Sequence, residues 1–391
     1  MRFLFWGSAA VIVYVYAGYP LLLAAWARLA RERRSRHVSP GACPPAVSIV
    51  IAARNEAARL PGRISNLLAL DYPAPRQIIV VSDGSTDDTE GALASFADAV
   101  ELVTIDGGGK AAALNAGVAR AKHDVLVFAD ARQTFADDTM LALTAPFADS
   151  RVGCVSGELI LGCEPGGRRT GSDRRGSEMQ PPAERRALIE RRGHLSSTVA
   201  DAIGAYWRYE KTLRSLESQV GSMLGATGAI YALRRELWRP LPEGTLLDDV
   251  LAPMRSVLAG RRAVFEPTAR AYDHTAQDAT AEARRKIRTL AGNFQILWLE
   301  PRLLVPFVNP VWLQYLSHKV GRLVVPYALL GLVAASIALA TAHPFYAVAL
   351  AAQCVAYLLG GYGALLEMDA APDSARTPSA ALVKEGRTAN A

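Results

Sequence analysis

The chain has 391 residues, 51% of them hydrophobic, with 43 Lys and Arg against 37 Asp and Glu and a formal net charge of +6. That modest balance, with no zinc-finger or basic-zipper spacing, argues against a nucleic-acid partner. The four cysteines (Cys43, Cys154, Cys163 and Cys354) form no CxxC pair and no disulfide framework, and they read as reduced thiols.

Residues 3–27 carry no charge, which is long enough for a membrane helix. Arg28, Arg31, Arg33, Arg34 and Arg36 follow at once and keep that end in the cytoplasm, so residues 1–36 are a transmembrane anchor with a basic flank. A cleaved signal peptide is the competing reading, since Ala25-Trp26-Ala27 loosely fits a cleavage site. The length of the apolar run and the basic cluster oppose it.

Residues 45–300 then read as a cytoplasmic domain. Strands are predicted over 47–53 (VSIVIAA), 77–82 (QIIVVS), 100–105 (VELVTI) and 124–129 (DVLVFA). Helices are predicted over 56–70, 88–97 and 110–121, with Thr86 or Asp87 capping the second. Alternation with short links means an α/β fold with a mostly parallel sheet covered on both faces. Three strands end in polar groups on one edge: Arg54-Asn55-Glu56, Asp83 and Asp130. Ligands of open α/β sheets bind at such an edge. Two carboxylates and an Arg there suit a nucleotide and its metal ion. The competing reading has Asp83 and Asp130 as simple caps of the following turns.

The loop Asp106-Gly-Gly-Gly-Lys110 fails the phosphate-loop pattern, with Thr104 and Ala111 where Gly and Ser or Thr belong. It meets only a loose dinucleotide fingerprint, the sole support for a nucleotide-dependent oxidoreductase. Lys110 is read as a phosphate-binding or helix-start cation. Residues 164–197 carry repeated Arg pairs between Gly, Pro and acids and read as a solvated inserted loop. A helix is predicted over 205–218. Beyond the domain, residues 303–318 are too short and Pro-broken to span and read as an interfacial helix. Residues 320–367 read as two transmembrane helices broken at His343-Pro344, and 368–391 as a disordered tail.

The segments VSIVIAARNEAARL, IIVVSDGSTDDT, GKAAALN, VLVFADAR, GATGAIYALRREL, LLDDVLAPMRSVLAGRRAVFEPTARAYD and EARRKIRTLAGNFQ follow one another in an order that resembles membrane-bound family 2 glycosyltransferases. The nearest group contains the cellulose, hyaluronan and poly-N-acetylglucosamine synthases, and the likeness covers roughly residues 45–330. It implies a GT-A nucleotide-sugar-binding domain with transmembrane helices at both ends. It also implies inverting transfer from a nucleotide donor, usually UDP-linked, to a growing polysaccharide or lipid-linked glycan.

By the same resemblance Arg54, Glu56, Asp83, Lys110, Asp130, Arg132 and Arg288 face the donor. Asp130 holds a divalent metal, Mg or Mn, and Thr227-Gly228 lines the acceptor site. Asp248-Asp249 is the acidic pair, with Asp249 the general base. Residues 130–132 read Asp-Ala-Arg where the family has DxD, and 285–289 keep only the Arg of QxxRW. Those losses leave a second reading open, a non-catalytic GT-A-like subunit of a polysaccharide assembly. The implied partners are the nucleotide sugar, the glycan or lipid-linked acceptor, membrane lipids, and export proteins or further copies of the chain. The implied place is the inner membrane, multi-pass, with the catalytic domain inside.

Overall fold

A computed structural model describes residues 1–31, 43–161, 207–273 and 279–369. The basic flank at 32–36, the Arg-rich loop at 164–197 and most of the expected tail lie outside them. The contacts divide the chain into two compact units. One is Val13–Thr275 with Thr289–Leu323, and the other is Met1–Ile12, Ala276–Arg288 and Val324–Ala391.

The first unit is built on an eight-stranded sheet. Strands β1 (Val47–Ala53), β2 (Arg76–Asp83), β3 (Val100–Ile105) and β4 (Val125–Ala129) lie where the sequence predicts, all parallel, in the order β3-β2-β1-β4. Beyond β4 the sheet is mixed. Strands β5 (Thr134–Phe135), β6 (Val152–Leu161), β7 (Ile230–Arg234) and β8 (Arg262–Asp273) extend it as β4-β7-β6-β8-β5. Strand β7 runs antiparallel to both β4 and β6, while β6 and β8 are parallel.

The apolar runs of β1, β2 and β4 are buried on both faces, as central parallel strands require. Val50, Ile79, Val81, Leu126 and Phe128 pack on one face against α4 (Gly109–Arg120) and α7 (Asp248–Leu258). Val47, Ile49, Ile51, Val80 and Val127 pack on the other against α3 (Leu60–Ala69) and α5 (Thr139–Thr144). Helix α4 lies so close to the sheet that a Cβ on Gly117 would sit 2.5 Å from Val50 Cγ1.

Two local expectations need correction. The helix predicted over 88–97 is a short 3-10 turn, Gly91–Phe96, closed by Asp88 Oδ1 accepting the Gly91 N–H at 3.1 Å. Neither Thr86 nor Asp87 caps it. The Thr86 hydroxyl donates to Asn55 Oδ1 at 3.2 Å, and Asp87 Oδ2 takes the Ala57 N–H at 3.0 Å. Side chains bonded elsewhere are lost as caps. The interfacial helix expected over 303–318 is not separate either. A 3-10 turn, Pro301–Leu304, precedes a helix that starts at Trp312 and runs on through a π-turn (Tyr315–Val320) into α10 (Gly321–Leu339). Pro306 and Pro310 keep the backbone before Trp312 irregular, and the helix after it runs on through the π-turn and past Pro326.

Among the described residues three helices are long and apolar enough to cross a membrane: Arg2–Ala30, Trp312–Leu339 and Pro344–Tyr362. The first comprises α1 (Arg2–Val13), a π-turn and α2 (Tyr19–Arg31); the last belongs to α11 (Pro344–Asp369). In the second unit Phe5 packs with Ala335, Leu339 and Tyr346, its ring centroid 5.0 Å from that of Tyr346. Helix α8 (Ala279–Leu299) carries Arg288, which is exposed, in this second unit.

Candidate active site

Strand order reverses between β1 and β4, so their carboxyl ends flank a natural crevice. Asp83 closes β2 beside it, only 4% exposed. Its Oδ1 accepts the N–H groups of Gly108, at 2.7 Å, and Gly109, at 3.2 Å. The carboxylate that ends the strand therefore anchors the glycine loop at the start of α4. That anchoring sets Lys110, the second residue of α4. Lys110 Nζ lies 3.2 Å from Asp130 Oδ1 and 3.5 Å from Asp248 Oδ1. Burial works against the ammonium, but Asp248, Asp130 and Asp249 outweigh it and hold its pKa above the ordinary lysine value.

Asp248 and Asp249 open α7, where the helix dipole favours negative charge. Asp248 is 4% exposed, and the hydroxyl of the buried Tyr231 reaches its Oδ2 at 3.5 Å. Asp249 is half-buried. Burial, then the neighbouring charge of Asp248, pushes its carboxyl up to about 6, while Lys110, Lys319 and Arg214 pull the other way. Its backbone carbonyl accepts the Ala226 N–H at 2.7 Å, which clasps the 225–228 loop to the helix start. Thr227 is fixed from two sides. Its N–H donates to Ser156 Oγ at 2.8 Å, and its hydroxyl accepts from Arg214 Nη1.

A Cβ built on Gly228 would lie 3.0 Å from Asp249 Oδ2. Gly228→Ala should therefore leave the fold intact, because a carboxylate end can shift. The few tenths of an ångström it must move should lower turnover by about ten-fold, since small misplacements of reacting groups are costly. Steady-state kinetics beside a melting curve will check this.

The structure thus gathers Asp83, Lys110, Asp130, Thr227, Gly228, Asp248 and Asp249 at one end of the sheet. Arg54 and Glu56 sit at the same edge with other contacts. Arg54 is exposed, and Glu56 pairs with Arg59 at 2.6 Å. Between them Asn55 adopts φ 56°, held by its bonds to Ser85 and Thr86. Arg132 lies 3.2 Å from Asp273 Oδ2, the same oxygen that takes the Gln133 amide at 2.9 Å. Asp273 escaped the sequence reading, although it ends β8 as Asp83 ends β2. Arg214 and Tyr231 also escaped it, because neither carries a local signal. Arg288 lies in the other unit.

Among the described residues no three His, Cys, Asp or Glu side chains cluster as a ligand set, and Asp130, whose carboxylate would hold a divalent metal, meets Lys110 Nζ at 3.2 Å. One carboxylate, completed by substrate phosphates and water, fits Mg or Mn.

Residues 48–213 match the family model described as Glycosyl transferase family 2. Poly-beta-1,6-N-acetyl-D-glucosamine synthase of Staphylococcus epidermidis is 30% identical over 115 residues, and that of Staphylococcus aureus strain COL is 30% identical over 121. Each match spans 28% of this chain and 28% of the relative. Among solved structures, a mannosyltransferase from Pyrobaculum calidifontis in complex with GDP-Man and Mn2+ superposes with a TM-score of 0.66. The alignment has 23% identity and covers 93% of this chain and 95% of that one. Residues 48–213, with strands β1 to β6 and the glycine loop, thus carry a glycosyl transferase family 2 domain; the acidic pair and strands β7 and β8 lie beyond that match, on a sheet whose overall fold is GT-A-like.

Proposed function

We propose that the protein transfers a sugar, with inversion, from a nucleoside-diphosphate donor to a polysaccharide or lipid-linked acceptor at the membrane surface. The observation that carries this reading is Lys110 bridging Asp130 and Asp248, with Asp249 next to it over Gly228. Lys110 meets the diphosphate, with Asp130 beside it. Asp249 takes the proton of the acceptor hydroxyl as its oxygen attacks the anomeric carbon and the nucleoside diphosphate leaves from the opposite face. Asp130 would hold a divalent cation, whose chemistry is to neutralise charge on the leaving diphosphate.

The nucleoside lies on the Asp83 side, where an open cleft of about 420 Å³ is lined by Ser82, Gly84, Ser85, Asp87 and Asp106 among others. Arg54 lies exposed one residue past the end of β1. Arg132, steadied by Asp273, adds positive charge beside the crevice. The three apolar helices among the described residues support a multi-pass membrane protein, and the arginines that follow the first of them favour the cytoplasmic side for this domain.

The test is nucleoside-diphosphate release by the full chain in nanodiscs, across UDP- and GDP-sugars, with Mg2+, Mn2+ or chelator. Turnover of one donor that depends on Asp249 upholds the reading. Absence of turnover across donors and acceptors moves the protein to the non-catalytic alternative, which the missing second acid of the Asp130-Ala131-Arg132 segment favours. The pH profile gives an independent check. A carboxyl with a pKa of about 6 is protonated below that pH and cannot serve as a base. Turnover should therefore fall with falling pH, with its midpoint near 6.

A further inference from the structure

Thr227 sits in the middle of the loop that backs onto Asp249, and its neighbours leave that loop little play. The Ala226 N–H donates to the Asp249 carbonyl at 2.7 Å, and the Ile230 N–H donates to the Thr227 carbonyl at 2.9 Å. A Cβ on Gly225 would lie 3.1 Å from Val250 Cγ2, and one on Gly228 would lie 3.0 Å from Asp249 Oδ2. The loop thus touches the start of α7 on both sides of Thr227, so a displaced loop displaces Asp249 with it. The Thr227 N–H is held by Ser156 Oγ of β6 at 2.8 Å. Its hydroxyl is held from outside the sheet, by Arg214 Nη1 at 2.5 Å.

Arg214 stands half-buried on α6 (207–220), a helix fastened at several points. Leu213 packs with Tyr19 and Leu23 of α2. Glu217, 1% exposed, accepts from the Tyr19 hydroxyl at 2.9 Å and lies 2.6 Å from His318 Nδ1. The Tyr209 hydroxyl donates to the Tyr16 carbonyl at 3.2 Å. At the far end Arg262 of β8 donates to the carbonyls of Ser218, at 2.9 Å, and Gly221, at 3.0 Å. All of these residues belong to the compact unit built on the sheet. The Arg214 guanidinium itself lies 5.8 Å over the Phe265 ring, within reach of a cation–π contact. A planar fork on a fastened helix is therefore a rigid support for the Thr227 side chain. Arginine only donates, so the Thr227 oxygen accepts and its own proton points elsewhere.

We infer that Arg214 is a positioning residue for the transfer step. It acts through Thr227, holding the 225–228 loop where that loop seats Asp249. The inference rests on the reading of Asp249 as the general base. Its first test uses no substrate, so its failure is separate from a failure of that reading. Hydrogen–deuterium exchange is followed on the full chain in nanodiscs. Arg214→Met and Thr227→Val should each speed exchange of the peptide covering 225–230 by about ten-fold, the scale of one hydrogen bond to a charged group, while β1 to β4 keep their wild-type rates. An arginine with a merely structural role would loosen the whole sheet.

Turnover gives the second readout, as nucleoside-diphosphate release from a UDP- or GDP-sugar. Each variant should lose about ten- to a hundred-fold in kcat with donor affinity unchanged. The double variant should lose no more than the worse single one, because both substitutions remove the same bond. Arg214→Lys, which keeps a donor, should lose less than Arg214→Met. Unchanged exchange over 225–230 in both variants overturns the inference without recourse to turnover. Losses that multiply in the double variant, or donor affinity that falls as far as kcat, overturn it as well. Should Arg214→Met fail to fold, Thr227→Val, which keeps the side-chain volume, decides by exchange alone.

Discussion

Replacing Asp249 by Asn should lower sugar transfer by about 10²- to 10⁴-fold, the usual contribution of a positioned general base, while the protein stays folded and binds donor. The substitution is nearly isosteric. The backbone carbonyl that holds the Ala226 N–H is untouched, and among the described residues the side chain makes no hydrogen bond that folding would miss. Lys110 keeps Asp130 and Asp248 as its partners at 3.2 and 3.5 Å. What is lost is the one group that can accept a proton over Gly228. Turnover and donor affinity, measured on the same preparation, separate the outcomes. Wild-type turnover in Asp249→Asn would remove Asp249 from the mechanism. A fall in donor affinity as large as the fall in turnover would move it to the donor side.

Lys110→Met should harm both stability and turnover. Two strand ends and a helix start bring Asp130, Asp248 and Asp249 together, and Lys110 is the cation that lies between the first two. Removing one partner of a buried ion pair costs about 3–5 kcal/mol, and about 2–3 kcal/mol is expected for Lys110 because its side chain is 29% exposed. The melting temperature should fall by several degrees. Loss of the cation also strengthens the influence of Asp248 on Asp249, so the acidic limb of the pH–rate profile should move above its wild-type midpoint. A melting curve and a pH profile on one variant give both readings. An unchanged limb would show that Lys110 does not govern Asp249.

Much of this architecture is legible in the chain itself. The runs 47–53, 77–82, 100–105 and 124–129 are apolar, short and separated by helical segments, and they become the four parallel strands. The polar residues that close them lie on one edge because parallel strands all end on the same side. The long uncharged segments likewise declare three helices able to span a membrane. Other features depend on contacts that periodicity does not record. The second half of the sheet is mixed because β7 runs antiparallel between β4 and β6, a pairing that no local pattern specifies.

The partners of the charged groups were hidden for the same reason. Arg132 has the composition of a phosphate ligand, yet Asp273, brought alongside by β8, lies 3.2 Å from it. Asp83 has the composition of a nucleotide ligand, and one of its oxygens instead holds the glycine loop that aims Lys110. Arg214 and Lys319 look like ordinary solvated cations in the sequence. The fold brings both close enough to Asp249 for their charge to act on it. The sequence by itself determined the element order, the sheet edge that carries the chemistry and the residue types placed there, because burial and turn formation act on near neighbours. Only the tertiary structure decided which charge meets which, because ion pairs and hydrogen bonds depend on distances between strand ends and helix starts far apart in the chain.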